Sequence, residues 1–425
     1  MQLRAARSGP LNGVAAIPGD KSCSHRALIL GALAEGETLI SGLLQADDVA
    51  ATARAIEAFG ARVERDGVDW RVTGAEWRSP AGPIDCGNSG TAARLLMGAA
   101  AGFGLTATFT GDASLSRRPM RRVTAPLSRM GARFDGDDRL PLTLHGGGLA
   151  GIDWPSEPPS AQVKTAILLA GLSAQGPVVV RESMPSRDHG EIMLRQFGCE
   201  VESGHGLVRL GRRRRLTACD IAIAGDPSSA AFALTAAAII PGSSVEVRDI
   251  LANRLRTGFL AALADMGAEV AWSRRRALCG EAVASVRVGH AKLRPIDIAA
   301  ERIPALIDEV PLLAVAAAFA EGESVIRGLG ELRHKESDRL KAIVAGLAAC
   351  GIAARADGDG LRIVGQKKVA GGARVAAQGD HRIAMAFAVL GLAAEEPVTV
   401  DSAEMIATSF SGFAETMRAL GADIK

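Results

Sequence analysis

Residues 17–29 read IPGDKSCSHRALI, so Asp20, Lys21, Ser22, Ser24, His25 and Arg26 stand directly ahead of an apolar run. A helix beginning there leaves backbone N–H groups without intrahelical partners, and with Lys21, Ser22 and Arg26 beside them they form an anion site. Ser22 and Arg26 are four apart and share a helix face. The string is not a nucleotide P-loop, which needs G-x-x-x-x-G-K-[ST]; no glycine directly precedes Lys21. Comparable polar sets recur along the chain: Asn88, Gly90, Thr91 and Arg94; Arg117 and Arg118; Ser160, Gln162 and Lys164; and Arg187. Further on come Asp308 and Glu309, then Lys335, Glu336 and Arg339, then His381 and Arg382. Arginine's planar fork suits phosphate and carboxylate. Lys335 and Arg339, four apart, are expected on one helix face. Asp308 and Glu309 just before Pro311 put acids at the mouth of an apolar helix, where proton transfer would want them. The chemistry indicated is proton transfer on small, multiply anionic molecules.

Two interleaved repeat series account for the placement of these residues. PGDKSCSHRALILGALA, CGNSGTAARLLMGAAA, PPSAQVKTAILLAGLSA, GDPSSAAFALTAAAII, LIDEVPLLAVAAAFA and GDHRIAMAFAVLGLAA share a polar or glycine-bearing head and an Ala/Leu-rich tail, with heads near 19, 87, 159, 225, 307 and 379. The second series, AFGARV, RMGARF, QFGCEV, DMGAEV, ACGIAA and ALGADI, places Gly60, Gly131, Gly198, Gly267, Gly351 and Gly421 after amphipathic segments, as left-handed helix ends. Each repeat therefore predicts one fully buried and one half-exposed helix, with short strands between them, as a β-α-β-α-β-β unit. Six units exceed one core. The expected α/β architecture has two domains of three units: residues 17–224, and residues 225–425 joined by 1–16, with MQLRA returning as a strand to the C-terminal half. Helix N-termini gathered on a face between the halves would make a cleft for anions.

Composition narrows the function classes. The 425 residues carry a formal net charge of +2, are 48% hydrophobic and contain no tyrosine, which reads as a soluble α/β protein. The basic run Arg212–Arg215 has no aromatic platform nearby and reads as a solvated connection between strands, so no nucleic-acid partner is expected. Apolar runs stop short of membrane-spanning length, and no secretory segment leads the chain, so a cytoplasmic location is expected. Six scattered cysteines without C-x-x-C spacing, and seven histidines without paired spacing, predict buried thiols and no metal.

The motifs GDKSxSHRALI, GNSGTAARLL, PSAQVKTAILLAGL, SRDHGEIML, DEVPLLAVAAAFAEG, LRHKESDRL and GDHRIAMAF, in order over nearly the whole chain, resemble those of the 5-enolpyruvylshikimate-3-phosphate synthase family. SAQVK, SRDH and ATSF are closer to its class II, glyphosate-tolerant branch. The resemblance implies the two-domain enolpyruvyl transferase fold, an inside-out α/β barrel, and transfer of the enolpyruvyl group of phosphoenolpyruvate to the 5-hydroxyl of shikimate 3-phosphate in the shikimate pathway. It implies no cofactor, and a monomer is expected. By motif, Lys21, Ser22, Arg26, Ser160, Ala161, Gln162, Arg187, Asp308 and Lys335 would bind shikimate 3-phosphate. Lys21, Gly90, Arg118, Gln162, Arg339 and Arg382 would bind phosphoenolpyruvate. Asp308, Glu336 and Lys21 would be catalytic. Three positions depart from the pattern: Thr408 stands where many members carry a substrate-binding lysine and is assigned no role, Ser411 stands where proline is usual, and Cys23 occupies a variable position and reads as packing. The sister enzyme acting on UDP-N-acetylglucosamine is typified by a loop cysteine and a Lys-Asn pair. Here GDASLSRRPM lacks the cysteine, and Ser22 follows Lys21.

Overall fold

The computed structural model describes all 425 residues. The chain divides into two compact units. One comprises Gly19–Ile223 with Leu278–Glu281; the other comprises Met1–Pro18, Ala224–Ala277 and Ala282–Lys425. There are six four-stranded sheets, one to a repeat.

The second repeat shows the plan. Strand Ile84–Asp85, buried helix Gly90–Ala101, strand Thr106–Thr110, helix Arg121–Met130 and strands Arg133–Asp135 and Leu142–His145 follow one another, with a short helix Ala113–Arg117 inserted. The first two strands pair in parallel across the helical crossover, and the last two add antiparallel. The first repeat borrows its opening strand from far along the chain, since Ile221–Ala222 pairs in parallel with Ile40–Ser41. The other unit is closed the same way. Leu3–Ala6 lies antiparallel between Val398–Val400 and Asp423–Ile424, the return expected of MQLRA, and Asn12–Ala15 runs parallel beside Ser244–Leu251.

The Ala/Leu-rich segments form the buried helices: Lys21–Leu33, Gly90–Ala101 and Ala161–Gly171 in the first unit, and Pro227–Ile239, Val310–Ala318 and His381–Gly391 in the second. Small residues allow close packing. A Cβ on Gly98 would run into the carbonyl oxygen of Ala166, so Gly90–Ala101 and Ala161–Gly171 touch backbone to backbone there. Five of the six buried helices start with a side-chain cap: Asp20, Ser89, Ser160, Asp226 and Asp380 accept from backbone N–H groups of the first turn, each contributing about 1 kcal/mol. The sixth, Val310–Ala318, is led in instead by a 3-10 turn, Ile307–Glu309. Every glycine of the second series has positive φ, from +84° at Gly351 to +120° at Gly131, as a left-handed helix end requires. No helix is long and apolar enough to cross a membrane.

Candidate active site

In the Gly19–Ile223 unit, Lys21 is the first residue of its helix, and its Nζ lies 2.5 Å from Oδ2 of Asp48, in the first turn of helix Asp47–Phe59. Sequence reasoning passed over Asp48 because acids in a first turn read simply as helix-dipole partners. Arg26 is buried: Nη1 donates to the Ser22 carbonyl at 2.9 Å and Nη2 to Thr165 Oγ1 at 3.0 Å, while Nε has no partner. Burial lowers the Arg26 pKa, and the like charge of Arg187 adds to that lowering. Two guanidiniums that repel each other are what a bound phosphate would neutralise.

Gly90, Arg118 and Gln162 come together in a second cluster. Arg94 Nη1 donates to Gln162 Oε1 at 2.5 Å and Gln162 Nε2 to Thr91 Oγ1 at 2.8 Å, while Arg118 Nη2 donates to Asn88 Oδ1 at 2.5 Å. Gly90 lies under both arginines, 3.3 Å from Arg118 Nη1 and 3.5 Å from Arg94 Nη1 as measured from an added Cβ. Arg117, by contrast, faces solvent. Ser160 caps its helix through Val163 N. The Ala161 carbonyl accepts from Thr165 Oγ1 and Arg26, so Ala161 can offer a ligand only its backbone N–H.

Three residues from the polar heads turn inward. Lys164 is enclosed between Glu182 and Glu191, at 2.9 and 2.8 Å, and belongs to the interior rather than to a ligand face. His25 hydrogen-bonds with Thr52 Oγ1 at 2.7 Å; burial, with Lys21 and Arg26 adding to it, holds its pKa well below the imidazole range, so the ring is neutral. Burial, then the Asp20 charge, push the Cys23 thiol up, leaving it a protonated packing group. The basic run is structural in part: Arg214 donates to the carbonyls of Gly171, Ala174 and Gly176, Arg213 to that of Gly198, and Arg215 pairs with Glu35.

In the other unit the acids and cations form one network. Asp308 Oδ1 lies 3.3 Å from Lys335 Nζ and 3.4 Å from Arg339 Nη1. Arg339 Nη2 reaches Glu336 Oε2 at 2.5 Å, and its Nε reaches Asp380 Oδ2 at 2.8 Å. Burial alone would lower the Arg339 pKa, but Asp380, Glu336 and Asp308 outweigh it and hold the guanidinium charged. The Lys335–Arg339 pair corrects the helix-face expectation. Arg339 opens helix Arg339–Ala349, whereas Lys335 is an extended residue after the 3-10 turn Gly330–His334. The two meet on Asp308 rather than on a shared helix face.

Exposure sorts this network into layers. Side chains of Lys335, Glu336 and Asp308 are 29%, 18% and 14% exposed, against 1% for Arg339 and 0% for Asp380. Solvent reaches the acids and Lys335, while Arg339 and Asp380 support them from below; any bond from Arg339 to a ligand must leave from its Nη edge. Arg382 Nη1 donates to the Asp308 carbonyl at 3.3 Å and Glu309 Oε1 at 3.4 Å, and Glu309 also accepts from Ser228 and Arg256. Arg256 completes the chain at Asp226, 2.9 Å away. Nothing in the local sequence marks Arg256. Asp226 and Asp380 carried the signal of Gly-Asp before a helix, which reads as a cap. Thr408 is nearly buried, hydrogen-bonding with His381 Nδ1 at 3.3 Å.

The chain is similar in sequence and fold to proteins of known identity. A sequence model of the family described as EPSP synthase (3-phosphoshikimate 1-carboxyvinyltransferase) matches residues 5–417. The 3-phosphoshikimate 1-carboxyvinyltransferase of Phenylobacterium zucineum (strain HLK1) is 54% identical over 431 residues, 99% of this chain and 95% of that one. That of Caulobacter vibrioides (strain NA1000 / CB15N) is 52% identical over 435 residues, 99% and 98% of the two chains. The solved EPSP synthase of Acinetobacter baumannii superposes with a TM-score of 0.88 at 38% identity, covering 100% of this chain and 99% of that one. The enolpyruvyl transferase NikO of Streptomyces tendae, at 19% identity and a TM-score of 0.79 with 100% and 98% covered, shares the fold. With the match spanning the whole length and all the motif-bearing helix heads, the chain belongs to the EPSP synthase family.

Proposed function

We infer that the chain carries out its family's reaction, moving the enolpyruvyl group of phosphoenolpyruvate onto the 5-hydroxyl of shikimate 3-phosphate and releasing phosphate. In this reading Glu336, with Lys21, delivers a proton to the methylene carbon of phosphoenolpyruvate. The adjacent carbon becomes cationic, and the 5-oxygen bonds to it as Asp308 takes the hydroxyl proton. The tetrahedral ketal then loses phosphate as its C–O bond breaks, and a methyl proton returns to the base to regenerate the vinyl group. Arg118, Arg339 and Arg382, with Gly90 and Gln162, hold phosphoenolpyruvate. Ser22, Arg26, Ser160, Ala161, Arg187 and Lys335 hold shikimate 3-phosphate. Fixed cations of this kind stabilise the developing phosphate without solvent reorganisation. The protein is read as a monomer needing no metal or nucleotide.

The observation that carries the reading is the pairing of Asp308 and Glu336 on one guanidinium, Arg339, at 3.4 and 2.5 Å. Two carboxylates so held can serve as separate base and acid on neighbouring atoms. Phosphate release from phosphoenolpyruvate with shikimate 3-phosphate, repeated with UDP-N-acetylglucosamine, tests it. Release with the first acceptor is expected, and release with the second alone overturns the assignment.

A further inference from the structure

The segment Glu182–Asp188, between strand Gln175–Arg181 and helix His189–Gln196, has no regular structure yet carries Arg187. Its shape is held by side chains. Glu182 Oε2 accepts from Ser186 N at 3.1 Å, and Glu182 Oε1 accepts from Ser186 Oγ, which closes the loop on itself. Lys164, from helix Ala161–Gly171, then fixes the loop to that helix. Its Nζ donates to Glu182 Oε2 at 2.9 Å and the Ser186 carbonyl at 3.3 Å, and pairs with Glu191 Oε1 at 2.8 Å. All three ammonium protons are thereby used. Lys164, Glu182 and Glu191 are no more than 3% exposed, so solvent does not compete for these bonds.

The neighbouring residue of the same helix fixes the other arginine. Thr165 Oγ1 accepts from Arg26 Nη2 at 3.0 Å. Arg26 and Arg187 are therefore both referenced to one helical turn, Arg26 through Thr165 and Arg187 through Lys164 and Ser186.

We propose that Lys164 is a positioning residue that sets where Arg187 stands relative to Arg26, and so sets the preference for an acceptor bearing a phosphate over the same alcohol without one. The proposal rests on the reading that these two arginines take the phosphate of shikimate 3-phosphate. Displacing a binding group by about an ångström is enough to cost a tenfold or larger factor.

The test compares Lys164→Met, Ser186→Ala and Arg187→Ala with the wild type in steady-state phosphate release, using unphosphorylated shikimate as a competitive inhibitor. Lys164→Met should raise the KM for shikimate 3-phosphate by about tenfold or more, with the shikimate inhibition constant and the KM for phosphoenolpyruvate unchanged. Ser186→Ala removes one hydrogen bond and leaves the ion pairs, so it should move the same ratio by a smaller factor and serves if Lys164→Met does not fold. Equal losses toward the phosphorylated and unphosphorylated ligands, or no change in their ratio while Arg187→Ala does change it, overturns the positioning role. A ratio unmoved by Arg187→Ala overturns the phosphate reading itself.

Discussion

Glyphosate, a phosphonate anion, competes with phosphoenolpyruvate in the family this sequence resembles, and tolerant members often carry alanine where this chain has Gly90. Gly90→Ala adds a methyl whose carbon lies 3.3 Å from Arg118 Nη1, 3.5 Å from Arg94 Nη1 and 3.7 Å from Leu115 Cδ1. Only the first contact is too tight, so the Arg118 guanidinium must yield by a few tenths of an ångström. It is the far end of a flexible side chain, but its Nη2 is anchored on Asn88 Oδ1 at 2.5 Å, so yielding strains that charge-assisted bond. Gly90 is the first residue of its helix and has helical backbone, so alanine brings no backbone strain, and the gain of about 0.4–1 kcal/mol from a stiffer unfolded chain offsets the strained contact. The cost therefore falls on the ligand: about three- to tenfold in kcat/KM for phosphoenolpyruvate, which is roughly 0.7–1.4 kcal/mol of transition-state binding. Glyphosate, the longer ligand, should lose more. Phosphate-release kinetics across both concentrations give the KM and the inhibition constant for each protein, and thermal denaturation controls for folding. Wild-type insensitivity to glyphosate far above the phosphoenolpyruvate KM, or equal losses for the two ligands in Gly90→Ala, would refute the steric argument.

Asp308→Ala should lower kcat by about 10² to 10⁴ with substrate affinity largely kept, and near-normal turnover in the phosphate-release assay removes Asp308 from the chemistry. Arg339→Met takes from the buried Asp380 its guanidinium partner and should destabilise the protein by about 3–5 kcal/mol in denaturant titrations. A loss no larger than that of a surface ion pair, about 0–1 kcal/mol, contradicts this account. Under native conditions a thiol reagent should label Cys219 and Cys279, which are partly exposed, ahead of Cys23, Cys86, Cys199 and Cys350, which are buried. Burial pushes Cys86 up to about 12, so raising the pH through the ordinary thiol range should not expose it to peptide-level labelling; early labelling of Cys86 would show that its helix head opens.

The two repeat series were legible because each rests on local chemistry. A cap residue accepts from the N–H groups two or three residues on, and a left-handed helix end selects glycine, so both leave their mark within a few residues. The strand exchange that completes the first repeat left almost none. Ile221–Ala222 is two residues long and pairs with Ile40–Ser41, a partnership set by chain closure rather than by any pattern in either segment. The network below Asp308 was half legible for a related reason. Asp308, Lys335 and Glu336 announce themselves as charges beside an apolar helix, whereas Arg256 joins the network through Asp226 and Glu309, distant in sequence.

Lys164 is the instructive case, because its true direction is readable in the spacing. Gln162 and Lys164 are two apart on one helix, and residues two apart do not share a face. Gln162 joins Arg94 and Thr91 at the helix heads, so Lys164, roughly 200° further round the helix at 3.6 residues per turn, has to point elsewhere. In a helix buried on every side, elsewhere means the interior, and an interior ammonium demands carboxylates. Glu182 and Glu191 supply them, and the two acids flank the loop that carries Arg187. Sequence proximity placed a cation beside Gln162. Helical phase assigns it to the support of the Arg187 loop, one layer behind the helix heads.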